Sequence, residues 1–377
     1  MASNHKERLL VVIQLSGGND ALNTVIPYAD GLYYDFRPAV HVEPDNVLPL
    51  NEKFGLHPSM GPIKRLWDEG KVAIINGIGY PDPNRSHFRS MDIWHTAEPD
   101  KVGAEGWLGR AIRDLDPQQQ NVLTGVNFGR GLPRSLGCTG VPVASVGDLA
   151  SYGLFPDVED ERFREYALKA FSRMYGSAEG GDVVMQHLGQ TGNNALKGAD
   201  ILRTAPGKYS SNVEYAANPI AQSLKSVAQV IFAGLGTQIY YAQHGSFDTH
   251  SAELSYHAHL WRDVSGAVGD FYDDLKEHGS ENDVIIFMFS EFGRRIKDNG
   301  AGTDHGSGGV AFVIGGAVNG GMYGEYPSLK DENQLEGDLR ANNDFRSTYG
   351  TILERWLGVE APPILSGHFE QFEFISN

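Results

Sequence analysis

The chain has 377 residues, 41% of them hydrophobic and 21% charged, which excludes a wholly disordered polypeptide and leaves room for one large α/β domain or two modest ones. Its 31 basic and 48 acidic residues give a formal charge of −17, which repels phosphate backbones, and no Lys/Arg run offers a nucleic-acid patch. The single cysteine, Cys138, excludes an intrachain disulfide and a thiolate cluster built by this chain alone, and no apolar run approaches the roughly 20 residues that cross a bilayer.

In chain order, Leu9 to Leu15 reads as a strand buried on both faces. The polar residues before it carry no visible export signal, so a cytoplasmic protein and one exported folded and then trimmed would share this beginning. The run breaks at Ser16-Gly17-Gly18-Asn19-Asp20, which places Asp20 just past a strand end as a turn former or a ligand. A short amphipathic segment, Met60 to Asp68, leads to a strand over Val72 to Ile78, and a helix follows from about Ser86 to His95. Asn84 or Ser86 is its N-cap in the plainer reading. In the sharper one, Ser86 is a hydroxyl nucleophile beside amide donors and a positive dipole end, which favour an anionic substrate.

Trp107 to Leu154 is strand-like and loop-like, and Pro156 opens a helical stretch running to about residue 230, expected to form an insertion or cap. Phe163, Tyr166, Ala167 and Phe171 space out there as an ordinary helix face. Gln238 to Ala242 is a short strand, and Asp248 and His250 lie just beyond its end. A helix then carries Leu260, Val264, Ala267, Phe271 and Leu275 against the sheet, with His257 and His259 adding to the ligand-type residues.

Asp283 to Gly316 reads as strand, site loop, strand. Val284 to Phe289 is an unbroken apolar run, Glu291 sits at its carboxyl end, and the glycine-rich loop beyond carries Arg294, Asp304 and His305. Asn343 to Gly358 reads as a last amphipathic helix with Asp344 near its start.

Four strand ends thus supply Asp20, Ser86, Asp248 with His250, and Glu291 with His305. Ligands of open α/β sheets bind outside the carboxyl ends of strands, so these groups are candidates for one site. Carboxylates and imidazoles suit one or two divalent ions, Zn²⁺ or, if carboxylates dominate, Mn²⁺. Such ions would neutralise an anionic substrate, activate a hydroxyl or water and stabilise a leaving oxygen, with Arg294 clamping a phosphate or sulfate.

The segments LSGGNDALNTVIPYAD, NRSHFRSMDIWHTA, FDTH, SEFGRR and TDHGSGGVAFVIGG together resemble the bacterial family known as domain of unknown function 1501, over nearly the whole chain. That family in turn resembles the alkaline phosphatase and sulfatase superfamily. The resemblance implies a single domain over 1–377, a central mostly parallel sheet sandwiched by helices with a helical insertion over 156–230, and a site for one or two metals. It further implies Asp20 as the acid after the first strand, Ser86 as nucleophile, Asp248 and His250 on one metal, and His305 as a later ligand. Glu291 and Phe292 fall where the superfamily has Asp-His, and a phenyl ring cannot ligate, which leaves the second metal weakened, altered or absent. Many members carry a twin-arginine export signal that this sequence lacks. The expected activity is a metal-dependent hydrolase or transferase on a phosphate or sulfate ester. The alternatives are a binding or scaffold protein that kept the fold, and an enzyme of different chemistry in the same pocket.

Overall fold

In a computed structural model that describes residues 8–149, 152, 160–176 and 183–376, nine strands form one sheet. Their order is Gly321–Tyr323, Val72–Gly79, Gly309–Gly315, Val284–Phe289, Leu9–Leu15, Ile239–His244, Gly125–Phe128 and Ala144–Val146, with Asn343–Asp344 pairing alongside Val72–Gly79. Every pairing is parallel except the two made by Gly309–Gly315, which runs against both neighbours. This is the expected mostly parallel α/β sandwich.

The apolar runs lack alternation because the sheet is covered twice. Val11, Ile13, Ile286 and Met288 face one core, where the helices Gly61–Asp68, Pro219–Phe232 and Glu253–Glu277 contribute Ile63, Leu224 and Trp261. Leu10, Val12, Ile285 and Phe287 face the other, with Trp94, Trp107 and Tyr349 from His87–Thr96, Trp107–Leu115 and Phe345–Thr351. All five apolar residues that the periodicity places against the sheet on the long helix, Leu260, Val264, Ala267, Phe271 and Leu275, are buried.

The 156–230 stretch divides in two. Pro219–Phe232 packs with Glu253–Glu277 in the first core, whereas Glu161–Gly176 packs on Val183–Leu202, which reaches that core through Leu202. Phe163 and Tyr166 are exposed there, and residues 156–159 and 177–182 lie outside the described residues. No helix among the described residues is long and apolar enough to cross a membrane.

The segment expected as an open loop contains a hairpin, Arg294–Asp298 against Thr303–His305, with Arg294 opposite His305. Charged side chains and glycines hide these two short strands from a period-based reading, but their pairing holds His305 in place.

Candidate metal centre

The strands Leu9–Leu15, Ile239–His244 and Val284–Phe289 are adjacent and parallel, so their carboxyl ends open side by side. Gly17, Asp248 and Glu291 follow these ends. Gly17 has φ +122° and Gly18 +77°, and a side chain on the first would strike the Phe247–Asp248 backbone while one on the second would overlap the Phe292 ring. Only glycine lets the chain turn this close to its neighbours.

Three atoms form a triangle there: Nε2 of His250, Nε2 of His305 and Oδ1 of Asp248 each lie 3.0 Å from the other two. His87, the first residue of its helix, brings Nε2 to 3.5 Å from Asp248 Oδ2. Candidate ligand atoms of His87, Asp248 and His305 all fall within 4.8 Å of one another.

The outer nitrogen of each ring fixes its tautomer. His305 Nδ1–H donates to the Arg85 carbonyl at 2.8 Å, His250 Nδ1–H to Asp304 Oδ1 at 3.0 Å, and His87 Nδ1–H to Glu291 Oε1 at 2.8 Å. All three partners are acceptors only, as carbonyls and carboxylates are at neutral pH. In the neutral rings every Nε2 therefore turns a lone pair inward. Lone pairs crowded at 3.0 Å around a carboxylate repel unless a cation lies among them, and donors about 2.0–2.2 Å from one ion sit roughly 3–3.5 Å apart. The donor set fits a divalent ion.

Glu291 is almost fully buried and stands behind the cluster, with Oε1 accepting from both Gly17 N at 2.9 Å and His87. That hydrogen bond to the Glu291 carboxylate raises the His87 pKa above the ordinary histidine value. Partial burial pushes the Asp248 carboxyl up, but the hydrogen bond and charge of Arg294 outweigh it and hold the group below the usual carboxylate range. Arg294 is fully buried and committed: NH1 donates to Asp248 Oδ1 at 2.8 Å and Gly17 O at 3.2 Å, Nε to Thr303 Oγ1 at 3.3 Å, and NH2 to the Thr303 carbonyl. It orients Asp248 and is not placed as the expected anion clamp. Phe292, buried against Gly18, stands with its ring centroid 4.9 Å from those of both His87 and His305, so the residue that cannot ligate serves as a wall for two that can.

Asp20 is not brought to this cluster. Its carboxylate is fully buried, caps the short helix Ala21–Thr24 through Leu22 N, and pairs with the equally buried Arg37 through both oxygens. Arg37 also donates to the carbonyls of Ile296 and Arg295 at 2.9 Å, tying Asp20 to the hairpin that carries His305. Burial and the Asp20 charge push the neighbouring Glu253 well above the ordinary glutamate range, so it holds a proton. Ser86 is exposed at the N-cap of the His87 helix and makes no side-chain capping bond; Asn84 Oδ1 instead accepts from Ser86 N at 2.8 Å.

The sequence thus named Asp248, His250 and His305 of the cluster and missed His87. His87 follows Ser86 at the same helix start, so its position past a strand end is the signal that points to it. Replacing Asp304 by alanine should leave the fold intact and weaken metal affinity about 10–100-fold, since the His250 ring loses the acceptor that sets its tautomer. Competition with a chromogenic chelator measures this, and unchanged affinity would count against the arrangement.

Beside the cluster opens a cavity of about 500 Å³ lined in part by Gln14, Ser16, His87, Phe88, Arg134 and Asp248.

The sequence profile of a family described as protein of unknown function (DUF1501) matches residues 57–349. Similar solved structures include the lipoteichoic acid synthase LtaP from Listeria monocytogenes, at 9% identity and TM-score 0.41, covering 94% of this chain and 73% of that one. The PsFucS1 sulfatase from Pseudoalteromonas sp. stands at 15% identity and TM-score 0.43, covering 100% and 73%. The C-terminal periplasmic domain of EcEptC from Escherichia coli, in complex with Zn, stands at 8% and 0.38, covering 83% and 74%. No curated protein matches the chain. The profile match spans most of the sequence, and the chain belongs to the DUF1501 family.

Proposed function

We propose that this protein is a metal-dependent hydrolase or transferase acting on a phosphate or sulfate ester. The observation that carries the reading is the triangle of His250, His305 and Asp248 donors, with His87 alongside and every imidazole held in the tautomer that presents Nε2. A donor set richer in imidazole than in carboxylate favours zinc over manganese. Bound there, a divalent ion would supply charge to the ester oxygens and lower the pKa of a hydroxyl or water.

The chain's own residues do the rest. Asp304, the Arg85 carbonyl and Glu291 orient the three rings, Arg294 orients Asp248, and Phe292 fixes the planes of His87 and His305. Ser86 is the proposed nucleophile because it is held between Arg85 and His87, both bonded into the cluster, at a helix start whose amides favour an anion. The ester class rests on the motif resemblance and on a cavity open beside the cluster.

Protein purified without chelator should contain about one zinc per chain by elemental analysis, and His305→Ala should lose it. The metal-loaded chain should turn over an aryl phosphate or aryl sulfate, and Ser86→Ala should not. Metal-free protein that turns over neither ester ends this reading.

A further inference from the structure

Arg294 is committed to Asp248 and Thr303, and Arg134, on the cavity wall, to Asp92 and the Gly103 carbonyl. The cavity lining supplies another donor, Ser16, with Gln14 behind it. Gln14, on the strand Leu9–Leu15, is buried, and its amide is fixed by two partners from other elements. His95 Nε2–H donates to Gln14 Oε1 at 2.8 Å, and the buried Tyr241 hydroxyl donates to the same oxygen. An amide oxygen only accepts, so this side of Gln14 is settled, and its NH₂ faces the other way. There Nε2–H donates to Ser16 Oγ at 2.5 Å. The Ser16 oxygen is thus occupied as an acceptor, and its own proton has no acceptor among the described residues. Ser16 lines the cavity together with His87, Asp248 and Glu291.

We infer that Ser16 is a substrate-contacting hydrogen-bond donor, aimed into the cavity by Gln14, that binds a non-bridging oxygen of the phosphate or sulfate group beside the metal centre. The assignment rests on the ester reading above. Three buried residues, Gln14, His95 and Tyr241, act through Ser16 as positioning residues. A hydroxyl whose oxygen already accepts a hydrogen bond is a better donor, because hydrogen bonds in a chain polarise one another.

The test uses the full chain loaded with zinc and titrates inorganic phosphate and inorganic sulfate by calorimetry. Ser16→Ala should weaken binding of the anion that the parent protein takes up by about tenfold. Ser16→Cys, which keeps the size with a weaker donor, should fall between. Bound zinc and the unfolding midpoint are measured on the same samples and should not move. Where turnover is measurable, kcat should drop about 10²–10³-fold in Ser16→Ala, the range for losing one donor to a developing oxyanion. Unchanged anion affinity in Ser16→Ala overturns this assignment alone. A zinc-loaded parent chain that binds neither anion overturns the ester reading and this assignment with it.

Discussion

Arg37→Ala is expected to lower the free energy of unfolding by about 3–5 kcal/mol, the range for removing one member of a buried ion pair. Asp20 and Arg37 are both fully buried, so no water replaces the lost guanidinium, and the carbonyls of Ile296 and Arg295 lose their donor at the same time. Guanidinium chloride unfolding monitored by tryptophan fluorescence measures the loss. Asp20→Asn separates the two roles this acid could play. It should also destabilise, yet leave bound zinc at the parent level in the folded protein. An Asp20→Asn chain that is fully stable but empty of metal would make Asp20 a ligand and refute its reading as a brace.

Acid should unfold this protein early. Burial depresses the pKa of His57 and His95 to about 4 and that of His257 to about 3, against 6.5 for a free histidine. A base with a depressed folded-state pKa is held neutral by the fold. Its contribution is fully present above pH 6.5 and is lost as pH falls toward 4, because the unfolded chain takes up the proton first. Each of the three is worth on the order of 3 kcal/mol across that window. Glu253 works in the opposite sense, since its raised pKa adds stability at low pH that is lost as pH rises. Unfolding free energy measured from pH 7 down to 5 should therefore fall steeply. His95→Gln should flatten that slope by about one proton, or about 1.4 kcal/mol per pH unit. A slope identical to the parent's would show that His95 is not buried neutral.

Strands were legible where burial wrote them continuously. Leu9–Leu15 and Val284–Phe289 have the bounds their apolar runs predict, because each is covered on both faces. The position of Gly309–Gly315 between Val72–Gly79 and Val284–Phe289, antiparallel to both, has no such signature, since side-chain pattern does not encode direction. For the site, strand ends located Asp248, His250 and His305, but proximity to a strand end does not tell a ligand from a brace. Asp20 finds Arg37, 17 residues on, and Arg294 finds Asp248 and Thr303, 46 and 9 residues away, at separations that no local spacing announces. Glu291 shows the same limit at closer range: it meets the candidate cluster through the outer nitrogen of His87, one layer further out than its position suggested.

The strand order has a consequence for how the molecule is made. Leu9–Leu15 and Val72–Gly79 both come from the first quarter of the chain, yet they never touch, because Val284–Phe289 and Gly309–Gly315 lie between them. An emerging polypeptide cannot join these early strands until its late ones are synthesised, and contacts so distant in sequence make for slow closure. The hairpin bearing His305 lies between those same two late strands. The middle of the sheet and the candidate site therefore both wait for the last quarter of the chain, and an N-terminal fragment possesses neither.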